Sequence, residues 1–97
     1  MRQFIVRRAA EADILDAQHW YETRDPDLGT AFAEEIQATM TRISEYPQSH
    51  SIAHRDVRRA LVHRFPYSLF YRDSGTRIVV LGCFHHRRSP SKWLSRR

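Results

Sequence analysis

Apolar positions along this chain change their period twice, and each change marks a new kind of element. Gln3-Phe4-Ile5-Val6-Arg7 is a short, mostly apolar run that predicts an opening strand. Over residues 9–22 the apolar positions Ala10, Ile14, Ala17 and Tyr21 recur at i, i+4, i+7 and i+11, one face of a helix, flanked by Leu15 and Trp20. Thr23-Arg24-Asp25-Pro26-Asp27 interrupts that face. Asp25 has the side chain of an N-cap, and Pro26 suits the first helical position, where a missing N–H costs nothing. A second helix over residues 26–45 then buries Leu28, Phe32, Ile36, Met40 and Ile43 and points Glu34, Glu35 and Arg42 away, until Tyr46-Pro47 ends it. Two helices joined by so short a break form an antiparallel hairpin.

Residues 48–56 (QSHSIAHRD) are polar and irregular and read as a loop. The period then changes. Residues 57–65, 68–72 and 77–85 are rich in β-branched and aromatic side chains and predict three strands. Asp73-Ser74-Gly75-Thr76 makes the turn between the last two, and Pro66 lies between the first two, where its missing donor harms no central ladder. Simple alternation puts Val79, Leu81 and Cys83 on one side of the last strand, and Ile78, Val80 and Phe84 on the other. A strand apolar on both faces is central and covered twice. Gly82 inside it marks a bulge or a close approach of a helix to the sheet. From residue 87 the apolar rhythm is lost apart from Trp93 and Leu94, so residues 88–97 read as a flexible basic tail. The order is β-α-α-β-β-β. It predicts one α+β domain over residues 1–97: an N-terminal strand, an antiparallel helical hairpin and a three-strand antiparallel meander.

Composition sharpens this through charge. The net charge of +5 on 97 residues is unevenly distributed: residues 1–54 carry a net −4 and residues 55–97 a net +9. Of the 16 basic side chains only Lys92 is not arginine, and arginine favours bidentate contacts to phosphate or carboxylate. The second half therefore suits a polyanion or an acidic protein. No apolar run approaches the roughly 18 residues of a membrane span, and the N-terminus lacks the apolar core of a signal peptide. With a single cysteine, Cys83, there is no disulfide framework, and cytoplasmic residence with no membrane partner is the expectation. Cys83 reads as a small buried hydrophobe. His50 and His54 are four apart but have only Asp56 nearby, and Gly29, Gly75 and Gly82 form no phosphate loop. Neither a metal nor a cofactor is expected.

Three local patterns carry a family resemblance. Tyr21-Glu22 followed by Asp25-Pro26-Asp27-Leu28-Gly29, Phe32 and Glu35-Ile36 is similar to the helical hairpin of the RelE/ParE toxins. Phe65-Pro66-Tyr67-Ser68-Leu69-Phe70-Tyr71 resembles their FPY strand. Val79-Val80-Leu81 with His85, Arg88, Pro90 and Trp93 resembles the closing segment of the ParE branch. The joint order of the three, over nearly the whole chain, carries the resemblance. It implies the toxin of a type II toxin–antitoxin pair, held in a hetero-oligomer by a cognate antitoxin with an acidic wrapping segment.

For the ParE branch the implied target is DNA gyrase, which such a toxin poisons by binding rather than by chemistry. The antitoxin is then expected along Trp20, Tyr21, Leu28, Arg58, Arg59 and Arg77, and the target along Arg87, Arg88, Lys92 and Trp93. The alternative is a RelE-like, metal-independent ribonuclease acting on the ribosome. It needs a base, an acid and cations at the phosphate, for which Arg59, Arg64, His85 and Arg87 are the candidates, with His86 and Tyr71 behind them. Because neighbouring strand residues face opposite ways, His85 and His86 cannot serve one site together. In place of the lysine cluster of such nucleases stand only Arg55, Arg58 and Arg59, which favours the binder. A third reading is a plain nucleic-acid module, with Tyr67, Phe70 and Tyr71 as a stacking platform between Arg64 and Arg72. Against it, Phe70 or Tyr71 must face the helices.

Overall fold

The first strand finds its partner near the far end of the chain. In a computed structural model, which describes residues 2–88 and 90–96, β1 (Gln3–Val6) lies parallel to β5 (Arg77–His85), with Phe4 opposite Ile78 and Val6 opposite Val80. Parallel neighbours need a long crossover. Here it begins with α1 (Arg8–Glu22) and α2 (Pro26–Glu45), and continues through β2 (Ser51–His54), β3 (Val57–Leu61) and β4 (Tyr67–Asp73). The sheet order is β1-β5-β4-β3-β2.

The meander therefore has four antiparallel strands, and the whole sheet is mixed. The loop expected at 48–56 contains β2, an edge strand whose Ser51 and Ile52 pair with Arg59 and Arg58. Its two apolar residues, Ile52 and Ala53, are adjacent and Ile52 is exposed, so no strand alternation shows. Arg55, at φ 54°, turns the chain back into β3. The strand expected over 57–65 stops at Leu61. The chain then makes a tight turn, closed by Val62 N–H to the Tyr67 carbonyl and by Arg64 at φ 71°, and Phe65 is carried inward.

The hairpin is built as its sequence dictates. The Asp25 carboxylate accepts from Asp27 N–H at 3.0 Å and caps α2. At Gly29 the two helices meet so closely that an added Cβ would lie 2.8 Å from Glu22 Cβ and 3.1 Å from its Cα. Phe32, Ile36 and Ile43 are buried, with Leu28 and Met40 half-buried beside them. Arg42 does not point away: it reaches the Leu61 carbonyl at 3.1 Å and so ties α2 to β3. Tyr21, Phe32 and Phe65 pack as an aromatic cluster with ring centroids 4.9–5.4 Å apart. Tyr71 faces the helices, and its hydroxyl donates to the Pro47 carbonyl.

Gly82 does mark a bulge. Phe70 lies opposite Gly82 but Tyr71 lies opposite Val80, which leaves Leu81 as the extra residue. The alternation expected for β5 is broken there. Ile78, Val80 and Cys83 join the core under the helices, while Val79, Leu81 and Phe84 face the other side. The close approach at Gly82 comes not from a helix but from the Phe84 ring, 2.6 Å from where a Cβ would stand. On that second face Val57, Phe70, Leu81 and Phe84 make a smaller core, and the C-terminal segment covers it. The segment expected to be a loose tail folds as α3 (Pro90–Leu94), with the Trp93 ring stacked on Phe70 at 4.9 Å and 17°. The parts of the domain and tail readings that fall on residues 1, 89 and 97 lie outside the described residues.

Gly29→Ala tests the helix contact. Alanine gains about 1 kcal/mol in helix propensity, but the clash is with Glu22 Cβ, held rigidly on its Cα, and costs about 1–3 kcal/mol. A net loss of up to about 2 kcal/mol in urea denaturation is expected, whereas Thr30→Ala, exposed one residue on, changes stability by less than about 0.5 kcal/mol.

Candidate functional site

Where β5 ends, the sheet opens into a cleft of about 670 Å³. One wall is α1, with Asp13, Asp16, Trp20 and Tyr21. The floor is the start of β4 and the end of β5, with Tyr67 and His85. The far wall is the C-terminal segment, with Arg88, Lys92 and Arg96. The acidic helix and the basic tail thus face each other across it.

Asp13 holds the walls together. β1 ends at Val6, opposite Val80, so further along β5 has no strand on that edge, and there the Asp13 carboxylate accepts the Cys83 N–H at 3.1 Å. The same carboxylate accepts two bonds from the Arg96 guanidinium, at 2.9 and 3.2 Å. Arg96 also donates to the Leu81 carbonyl at 3.2 Å, and its own carbonyl accepts from Arg7 at 2.9 Å. A carboxylate so engaged has little capacity left for a ligand.

The remaining groups are mostly donors. Burial pushes the phenol pKa values of Tyr21 and Tyr67 above the ordinary 10.0, so both keep their protons at neutral pH. Neither hydroxyl has a hydrogen-bond partner among the described residues. His85 packs edge-on to Tyr67 at 5.2 Å, and its Nδ1 accepts from Arg87 N–H at 3.1 Å. In the neutral ring that bond assigns the proton to Nε2. Arg88 and Lys92 have no ion-pair partner among the described residues. Trp20 is 49% exposed, with the Arg24 guanidinium 3.4 Å from its ring centre.

A family model for the ParE toxin of the type II toxin–antitoxin system, parDE, matches residues 4–90. The chain belongs to the ParE toxin family. A solved structure described as the chromosomal ParDE TA system from P. aeruginosa has the same fold as this ParE-family chain: TM-score 0.76, at 19% identity, over 88% of this chain and 96% of that one. A comparison with curated proteins returns no match.

On this ParE-type scaffold the expected antitoxin residues separate. Trp20 and Tyr21 line the cleft, and Leu28 is half-buried at the start of α2. Arg58 is turned inward, donating to the Gln48 and His50 carbonyls at 3.1 and 2.7 Å, where it buttresses the segment before β2. Arg59 and Arg77 are exposed on β3 and β5. Of the expected target residues, Arg88 and Lys92 line the cleft and Arg87 is exposed, while Trp93 lies against Phe70 on the opposite face of the sheet. Among the nuclease candidates, Arg59 pairs across the ladder with Phe70 and His85 with Tyr67, which puts them on opposite faces. Arg64 sits in the β3–β4 turn, 5.9 Å from the Phe65 ring. Phe70 and Tyr71, opposed in the same way, make no single stacking platform.

Sequence reasoning missed Asp13, Asp16 and Arg96 as cleft residues, and named Tyr67 only for a stacking platform with Phe70 and Tyr71. For Asp13 a signal existed: it stands between Ala10 and Ala17 on the apolar stripe of α1, and a carboxylate in an apolar stripe demands a partner.

Two titrating groups buried in the core under the helices set a pH limit. Burial pushes Cys83 from 9.0 to about 12, and Tyr71 from 10.0 to about 12. Folding thus holds both protons more tightly than the unfolded chain does. Their contribution is complete below pH 9 and is lost as the pH rises toward 12. Urea midpoints measured between pH 7 and 11 are expected to fall steadily above pH 9. Cys83 is expected to resist a thiol reagent in the native protein and to react on unfolding.

Proposed function

We propose that this ParE-family toxin arrests growth by binding and poisoning DNA gyrase, and that a cognate antitoxin with an acidic segment neutralises it. The observation that carries the reading is the meeting of two expected surfaces in one cleft. Trp20 and Tyr21 from the antitoxin side stand across from Arg88 and Lys92 from the target side. An antitoxin segment seated there excludes the target sterically and neutralises the same cations, so inhibition needs no change of fold. Buried aromatics and arginines are also the side chains that carry most binding energy at protein interfaces.

A binder rather than a nuclease fits the placement of Arg59 and His85 on opposite faces. Gyrase as target places the action in the cytoplasm, in a hetero-oligomer whenever the antitoxin is present. No described helix is long and apolar enough to cross a membrane.

Purified toxin added to gyrase is expected to abolish supercoiling and to accumulate cleaved DNA, with added antitoxin restoring activity. The double variant Arg88→Gln, Lys92→Gln is expected to need at least about tenfold more protein, one decade being about 1.4 kcal/mol of lost contact. Unchanged gyrase together with cutting of ribosome-bound mRNA would overturn the proposal in favour of the nuclease.

A further inference from the structure

The cleft has more hydrogen-bond donors than it has any internal use for. Tyr21 and Tyr67 offer two half-buried O–H groups. His85 offers Nε2–H, because Arg87 N–H occupies its Nδ1. Arg88 and Lys92 add two cations without ion-pair partners among the described residues. Of the acceptors facing them, Asp13 is engaged by Cys83 and Arg96. Only the Asp16 carboxylate, exposed on the α1 wall, remains. Such a site takes a ligand rich in acceptors and negatively charged at one end.

Trp20 decides what the other end is. Its indole lines the same cleft and is half exposed. The Arg24 guanidinium lies over the ring, and Tyr21 stands at 85° to it. The ring is thus held in place as a flat stacking surface, which flat aromatic bases use regardless of their identity. Asp16 can accept from a base amino group or a sugar hydroxyl. A volume of about 670 Å³ lies within the range of small-ligand sites.

We propose that this cleft binds a nucleoside phosphate, with the base on Trp20 and the phosphate among Tyr67, His85, Arg88 and Lys92. The proposal rests on the reading of the cleft as the face that meets the target, and it names the chemistry met there as nucleic acid. The ligand is either a free nucleotide or the phosphorylated end of a strand. An acidic peptide shares the charge but lacks the base, so Trp20 separates the two.

The test is isothermal titration calorimetry on the full chain in 0.15 M salt. The probes are dAMP, deoxyadenosine, inorganic phosphate, and a single-stranded DNA decamer with and without a 5′-phosphate. The dAMP is expected to bind one to one, with deoxyadenosine and phosphate each at least tenfold weaker. Trp20→Leu should reduce dAMP to the level of phosphate, and Arg88→Gln should weaken it at least tenfold. Tyr67→Phe should weaken it several-fold, while Arg55→Gln, which removes the same charge in the turn between β2 and β3, should leave it unchanged. Tighter binding of the phosphorylated decamer than of dAMP makes the source a strand end, and the reverse makes it a free nucleotide. Equal losses in Arg88→Gln and Arg55→Gln, or binding of a Glu-rich peptide with none of dAMP, would overturn the proposal. The gyrase assay keeps the two readings apart: a toxin that poisons gyrase yet binds no nucleotide refutes this inference alone.

Discussion

One carboxylate holds together three parts of this fold. β5 runs on past the end of β1, which leaves the Cys83 N–H without a strand partner on that edge, and an unmet N–H in a core costs about 1–3 kcal/mol. Asp13 meets it from α1, and the negative charge so placed next to the sheet is balanced by Arg96, 83 residues further along the chain. Helix, central strand and C-terminal segment are thereby fixed to one another at one point, and the cleft is the space left around it. The bulge turns the Cys83 side chain into the core under the helices. Beside Asp13, the end of the chain is held by Arg96 on the Leu81 carbonyl, by Arg7 on the Arg96 carbonyl and by the stacking of Trp93 on Phe70.

The same arrangement accounts for the odd distribution of charge. A half-chain with net +9 looks like one broad basic surface, but several of its arginines work internally. Arg58 braces backbone carbonyls, Arg72 pairs with Asp56 at 3.0 Å, and Arg96 pairs with Asp13. Arg59, Arg64, Arg77 and Arg87 stay exposed elsewhere, and Arg88 and Lys92 at the cleft are the part that faces the acidic helix. Charge therefore acts here first as a device for folding and only then as one for recognition.

Much of the fold was legible because its causes are local. The cap at Asp25, Pro26 at the helix start, the break at Tyr46-Pro47 and the turn at Gly75 each act within a few residues, and α2 and β5 have the bounds their patterns imply. What was hidden has non-local causes. The edge strand β2 has its apolar Ile52 exposed and only Ala53 packed on the second core, so no period shows and only its partner reveals it. Gly82 announced a bulge, yet the inversion of Cys83 and Phe84 that follows depends on the pairing with β4. The tail looked loose because its order comes from Phe70 and Asp13, far away in sequence. At the site, Trp20, Tyr21, Arg88 and Lys92 were visible as types suited to recognition but were divided between two partners. That they share one cleft is a property of the crossover, which carries α1 alongside the end of β5.

On the proposed function, antitoxin and target compete for this cleft. Amide hydrogen exchange of the toxin, free, with its antitoxin and with gyrase–DNA, tests it directly. Both partners are expected to slow exchange in the same two segments, residues 13–21 of α1 and 85–96 at the C-terminus. Protection by the antitoxin confined to the outer face of α2 or the β2 edge, with these segments exchanging as in the free protein, would contradict it.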